Sequence, residues 1–277
     1  MQRKLSPVRD LVRVVQCSTG DFKQLVDIGG TTSGWVAETT SRTETNTPQL
    51  RERAPSFGEL YAYPQSTEWA LDDVFFNVQD WLVESVAEAF AVKEGLAVIS
   101  GNGTNMPTGF LNSSPVSTAD DAVSPRDAAT LQYILGGDNS PASVDADALI
   151  DLLFSVNSIY RANATWVFNS TTAAQIRKLK DPVTGVYLWS PALVVGQPDM
   201  LLGRPVSVWE QMPDPAGGAF PVGFGDWRRA YLLADRTQMR ITIDNNITTP
   251  GKIKFFVRRR VGGCVLNNDA AKVLKLL

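Results

Sequence analysis

The stretch Gly101–Asn112, "GNGTNMPTGFLN", holds the glycine pattern closest to ligand chemistry in this chain. A phosphate loop of the Walker type needs a lysine that reaches the outer phosphates, and no lysine lies in the stretch. A dinucleotide fingerprint needs G-x-G-x-x-G between a strand and a helix. Gly101 and Gly103 supply its first half, but the third glycine is late, Pro107 intervenes, and a helical pattern precedes. The stretch therefore reads as a turn after a helix, in which glycine supplies left-handed backbone and proline blocks continuation. Asp72 and Asp73 place negative charge at the start of a helical pattern and read as a cap. Glu84 and Glu88 sit one turn apart with no basic residue between them and read as a solvated face. Arg258, Arg259 and Arg260 fall on a strand pattern, so their side chains alternate between faces and form no single patch.

The absence of histidine narrows the chemistry further. It removes Ser-His-Asp and Cys-His nucleophile systems. Cys17 and Cys264 alone cannot close a zinc site, and they lie near opposite ends of the chain, which excludes a disulfide scaffold. An enzyme would have to work with carboxylates, lysine or tyrosine. A glycosidase, for example, needs an acid pair roughly 5–10 Å apart across a cleft, and no such constellation stands out. No catalytic, cofactor or metal residue is assigned.

The elements that would position any site come from periodicity. The 277 residues suffice for one large domain or two moderate ones. The net charge of −3 gives no global attraction to nucleic acid or anionic membrane. No apolar run reaches the length of a membrane span, and the basic N-terminus lacks the apolar core of a signal peptide. The N-x-[ST] matches at Asn102, Asn112, Asn163, Asn169 and Asn246 therefore read as chance.

"DLVRVVQ" (10–16) and "DFKQLVDIGG" (21–30) predict short strands in an N-terminal arm. "GWVAETTSR" alternates, with Trp35 and Ala37 on one face and Val36 and Glu38 on the other. "FGELYAYPQ" alternates again, with Phe57, Glu59, Tyr61 and Tyr63 on one side. The two predict a long hairpin with a polar tip. Such a ribbon buries little by itself, so its own body or a neighbouring subunit should cover it. Val74, Val78, Trp81, Leu82, Val86 and Phe90 predict a helix over 72–98, roughly 40 Å long at 1.5 Å per residue. Residues 113–144 predict an irregular excursion with a short helix near 126–135, and 145–163 an amphipathic helix. "TWVFN" reads as a buried strand, with Ser170 capping the next helix. The C-terminal third reads as strands, closed by "AKVLKLL". The seven tryptophans should be core or interface anchors.

In order and spacing, these elements resemble the major capsid protein family of tailed bacteriophages, the HK-ninety-seven fold. "LSPVRDLVRVVQ" followed by "VDIGGTTSGWVAE" looks like that family's arm leading into its extended loop. "FGELYAYPQSTEWALDD" leading into "WLVESVAEAFAVKEGLAVISGNGTNMPTGFLN" looks like its spine helix and the turn after it. "ATWVFNSTTAAQIRKLKDPVTGVYLW" looks like its strand–helix unit, "LLGRPVSV" like the strand that follows, and "FGDWRRAYLLADR" like its late sheet.

The resemblance implies an α+β chain divided into an arm (1–30), an extended loop (31–66), a peripheral domain with the spine helix (67–114), an axial domain (115–240) and a return to the peripheral sheet (241–277). It implies hexamers and pentamers that close a shell around double-stranded DNA, bound without sequence specificity, in the virion of a tailed phage or in a phage-derived transfer particle, assembled in the bacterial cytoplasm. Portal, decoration or scaffolding proteins are the implied further partners, and no membrane. Intersubunit contacts are expected from Trp35, Glu38, Arg42, Glu44, Arg51, Glu52, Arg53, Phe57, Glu59, Tyr61 and Tyr63. Arg3, Lys4, Arg9 and Arg13 are expected to touch DNA or a neighbour. Relatives carry an N-terminal scaffolding segment that is cut off on maturation. The chain shows none, so it reads as the processed form or as one using a separate scaffold. Some relatives weld subunits through a loop lysine; here none lies between Lys23 and Lys93. An encapsulin-like compartment keeps the fold and changes the cargo, and a carboxylate hydrolase is the alternative of another class.

Overall fold

A computed structural model describes residues 7–19, 22–27, 33–42, 44, 45, 47, 50–67, 69, 78–122, 124, 126–136, 143–180, 185, 187, 189, 199–244 and 251–277. Its helices are α1 (Val8–Leu11), α2 (Val78–Ser100), α3 (Ala146–Ser155), α4 (Ser158–Arg161), α5 (Ser170–Arg177) and α6 (Trp227–Ala230). The strands are β1 (Arg13–Gln16), β2 (Gln24–Asp27), β3 (Leu50–Arg53), β4 (Ser56–Ala62), β5 (Gln65–Thr67), β6 (Gln132–Leu135), β7 (Thr165–Phe168), β8 (Met200–Leu201), β9 (Arg204–Val208), β10 (Val222–Gly225), β11 (Tyr231–Asp244), β12 (Lys252–Val265) and β13 (Ala271–Lys275). Helices and sheets mix as an α+β chain requires.

Two sheets organise the molecule. The first runs β1-β11-β12-β4, with β5 also on β12; the second runs β6-β13-β10-β7-β9-β8. β11 and β12 form a long antiparallel hairpin, interrupted by register shifts between Asp235 and Arg240. α2 lies across the first sheet. Val86 and Phe90 meet Val257, Leu60 and Ala62 there, while Val98 and Ile99 enter the main core with Trp209, Trp227 and Tyr231. Each such side chain contributes about 1.5–3 kcal/mol on burial. Asp72 and Asp73 lie outside the described residues. The 23 residues of α2 span roughly 35 Å.

The end of α2 explains the opening glycine pattern. The chain turns back, and the Phe110 and Leu111 amides donate to the Val98 and Ile99 carbonyls at 3.0 and 2.9 Å. Carbonyls of the last helical turn are thereby satisfied without a ligand. A Cβ on Gly101 would stand 2.2 Å from the Pro107 carbonyl oxygen, and one on Gly58 of β4 would stand 2.0 Å from that of Asn105. The turn packs backbone to backbone, which only glycine permits.

Around the second sheet, Leu149, Leu152 and Leu153 of α3 cover Trp166, Phe168, Val222, Phe224 and Leu274. All four residues of β7 are buried, as "TWVFN" predicts. The helix expected over 145–163 is broken between α3 and α4, where Asn157 caps the Ile159 amide. Arg161 donates to the Phe154 and Val156 carbonyls at 3.0 and 2.8 Å and so closes the end of α3. The cap of α5 is Asn169, not Ser170: its Oδ1 accepts from the Thr172 amide at 2.8 Å. No helix forms over 126–135. Gln132–Leu135 is a strand parallel to β13, because a short apolar run takes whichever element offers it a partner.

Three expected segments take different pairings. The hairpin of 31–66 is not one ribbon: β2 pairs with β3, whereas β4 joins β12 in the first sheet. Residues 33–42 form no strand, and the Thr40 amide closes a turn onto the Ala37 carbonyl. The arm is integral from Val8 onward, since Val8 and Val12 are core residues and β1 runs parallel to β11. On either side of the boundary expected at 240, β11 belongs to the first sheet from Tyr231 on, and β13 stands within the second.

Candidate assembly surface

β4 presents two faces because strand side chains alternate. Leu60 and Ala62 face α2. Phe57, Glu59 and Tyr61 face outward, with Tyr63 beyond them. Glu59 accepts from Arg260 at 2.8 Å across the strand pair, and Tyr63 meets Phe256 edge to face at 5.9 Å. Phe57 covers the backbone of Gly262, where a Cβ would stand 2.7 Å from its ring. Tyr61 stays 70% exposed. Four of the expected contact residues are therefore together on one face.

The remaining ones form a second group. Arg51, Glu52 and Arg53 lie on β3, opposite Val26, Leu25 and Gln24. Glu52 pairs with Lys23 at 2.7 Å; both are exposed, and such pairs contribute little. Leu25 and Leu50 are exposed on the same ribbon. Trp35, Glu38, Arg42 and Glu44 are all exposed, and Trp35 is fully so.

Among the arm residues, Arg3 and Lys4 lie outside the described residues, and Arg13 is exposed on β1. Arg9 makes ion pairs within the chain. Its guanidinium holds both Asp235 oxygens at 2.8 Å and reaches Glu94 at 2.5 Å. Arg259 completes the cluster at 3.0 Å from Asp235 and 3.8 Å from Glu94. Glu94 is only 4% exposed. Burial pushes the Asp235 carboxyl up, but hydrogen bonds and charge from Arg9 and Arg259 outweigh it and hold it low. The cluster ties α1, α2, β11 and β12 together and leaves Arg9 committed within the chain. A second cluster joins buried Arg126 to Asp120 and Asp269 at 2.5 and 2.7 Å, with Lys272 on Asp120 at 2.9 Å. Burial and the neighbouring Asp120 charge raise the Asp269 carboxyl.

Glu94 of the first cluster also lines a groove, with Glu59 as a second carboxylate there. This groove, of about 320 Å³ between β4, the end of α2 and the turn after it, is lined by Leu60, Leu96, Met106 and Pro107 together with Glu59, Lys93 and Glu94. No group of three or more His, Cys, Asp or Glu able to hold a metal occurs among the described residues. The outstanding chemistry is surface: apolar and mixed-charge residues facing outward on an edge strand and a ribbon.

The chain matches the phage capsid family over residues 1–276. The chain belongs to that family. Among solved structures it is similar to the capsid of a native GTA particle, at 35% identity over 100% of this chain and 91% of that one, with a TM-score of 0.88. The capsid of the empty GTA particle matches at 35% identity, over 100% and 91% of the two chains, with a TM-score of 0.85. A chain from Mycobacterium phage Ogopogo shares the fold at 14% identity, over 99% and 93%, with a TM-score of 0.67. No curated protein matches.

As a phage capsid family member, the chain is a structural capsid protein of a shell built by self-assembly. Seen this way, the second of its two surface groups is the more unusual, since a tryptophan fully in water has given up the burial that favours it. Sequence reasoning missed Glu94, Asp235 and Arg259. One signal was present: Glu94 continues the Val86–Phe90 stripe at the four-residue step, placing a carboxylate on a core face.

Proposed function

We propose that this chain is the major subunit of a closed, icosahedral-type shell that encloses double-stranded DNA in a tailed phage or a phage-derived transfer particle. Copies assemble into hexamers and pentamers through heterologous contacts, in which one surface meets a different surface of the next copy. The single observation that carries this reading is the segment 33–42 around Trp35, exposed throughout and joined to no strand among the described residues. The similarity to the capsids of native and empty GTA particles supports a transfer particle.

In this reading the first sheet with α2 forms the peripheral part of the subunit, the second sheet forms the axial part, and β2, β3 and residues 33–47 form the extended loop. Trp35, Tyr61 and Tyr63 act as apolar anchors inside a rim of Glu38, Arg42, Glu44, Arg51, Glu52 and Arg53. A net charge of −3 keeps the wall from gripping DNA that must later leave. Arg3, Lys4 and Arg13 touch DNA or a neighbour. A portal, and decoration or scaffolding proteins, complete the particle, which is assembled in the bacterial cytoplasm.

Size-exclusion chromatography followed by negative-stain microscopy of the purified chain tests this. Megadalton closed particles are expected. A stable monomer that never assembles, with or without a co-expressed scaffold, overturns the reading. Particles that package protein and exclude DNA replace it with a nanocompartment.

A further inference from the structure

β11 is open where the extended loop has a matching segment. β1 covers β11 only from Leu232 to Asp235. Beyond that point β12 lies on one side, and no strand among the described residues lies on the other. Ile241 and Ile243 pair with Val257 and Phe255, which are buried, so these isoleucines share the inner, apolar face of the sheet. Yet Met239, Ile241 and Ile243 remain 39–52% exposed. Arg240 points the other way, directly opposite Arg258, and like charges placed opposite one another repel. No acid among the described residues pairs with either. An open edge with an apolar face is a template for another strand.

Residues 34–38 have the complementary pattern. Gly34–Ala37 join no strand among the described residues; drawn out as a strand they put Trp35 and Ala37 on one face and Val36 and Glu38 on the other, once the turn that the Thr40 amide closes on the Ala37 carbonyl opens. Laid antiparallel along β11 with Ala37 opposite Ile241, the segment puts Trp35 opposite Ile243. Its other face then sets Val36 against Thr242 and Glu38 against Arg240, where the carboxylate relieves the arginine pair. A parallel alignment about the same pair would move Glu38 to Thr242 and lose that match. Both segments are exposed in the single chain, so they do not meet within it.

We propose that residues 34–38 of one copy add as an antiparallel strand to β11 of a second copy, in the register Trp35–Ile243, Ala37–Ile241 and Glu38–Arg240. The addition joins main-chain hydrogen bonds to side-chain selection, as strand addition does generally. It rests on the shell reading above and specifies the contact within it.

Two measurements on the assembled particle test the register. Ala37→Cys combined with Ile241→Cys should link subunits into covalent oligomers on oxidation, seen on a non-reducing gel. Ala37→Cys with Thr242→Cys, on the opposite face, should not. Glu38→Arg and Arg240→Glu should each cut particle yield at least about tenfold, a loss of about 1.4 kcal/mol per assembly step, and the double exchange should restore it to within about twofold. Glu38 is exposed and faces no charge across a strand pair, so Glu38→Arg should leave the monomer's melting unchanged, whereas Arg240→Glu relieves the Arg258 repulsion and should not lower it. Particles that form without the first disulfide, or single charge reversals that assemble normally, overturn the register and leave the shell standing. An unsubstituted chain that forms no particles overturns the shell reading, and the register falls with it.

Discussion

Glu94 is the residue whose position says most about how this subunit is held together. It sits on the core side of the spine helix with Arg9 and Arg259 both within reach. Removing one partner of a buried pair leaves the others uncompensated, which costs about 3–5 kcal/mol when burial is complete. Arg9 and Arg259 keep some solvent contact, so Glu94→Gln should cost about 2–3 kcal/mol, read as a lower urea midpoint.

The pH dependence follows from the two displaced carboxyls. Asp235 is held low in the folded chain. It therefore adds stability that is complete above the ordinary value of about 3.9 and is lost as pH falls below it. Asp269 is displaced upward, so its ionised form costs stability at neutral pH, and that cost disappears as pH falls through its raised value. Asp235→Asn should thus destabilise at pH 7 and lose that effect in strong acid, whereas Asp269→Asn should remove a gain seen on mild acidification. Denaturant midpoints taken from strong acid up to pH 7 check both signs. At this scale little was legible beforehand. Arg9 reads as one more basic residue of an arm, because the carboxylates it meets lie 85 and 226 positions away in sequence.

Elements were easier to read than their partners. The alternation in "FGELYAYPQ" and the apolar run of "TWVFN" mark strands because period and composition are local. Which strand each one joins is not local, and here the reading failed: β4 pairs with β12, some two hundred residues on. The contact that seats β4 is also non-local, since Gly58 lies under the turn after α2. Gly58→Ala would force its Cβ to within 2.0 Å of the Asn105 oxygen, and neither backbone is free to retreat. Overpacking of this kind costs about 1–3 kcal/mol. Gly34→Ala, with nothing within 4 Å of the new Cβ, is the matched control and should leave the urea midpoint unchanged. The Gly101 turn was read correctly as geometry because its missing lysine and its proline are themselves local facts. The break between α3 and α4 was not, because it depends on Arg161 folding back over the helix end.

At the scale of the whole molecule, the order of elements carried more than any one of them, which is why the family was legible while the pairings were not. That order also bears on how a finished shell would be held. A side-chain amide between subunits needs an amine at the contact, and the chain offers no lysine from residue 24 to residue 92, a span that includes the whole ribbon and β4. A lysine outside it, Lys23, is already engaged with Glu52. The contacts offered by these segments are then aromatic, aliphatic and mixed-charge, each modest and repeated many times around every copy. Such a shell resists dilution because many contacts must open together, yet it yields to anything that weakens all of them at once. Particles boiled in detergent without reducing agent should run as a single band near the 30.2 kDa of one chain, without the ladder of linked rings that amide bonds between loops would leave. The same particles in guanidinium should come apart in one steep step as the ribbon contacts fail together. A ladder that survives boiling would mean that a lysine elsewhere in the chain supplies the missing amine.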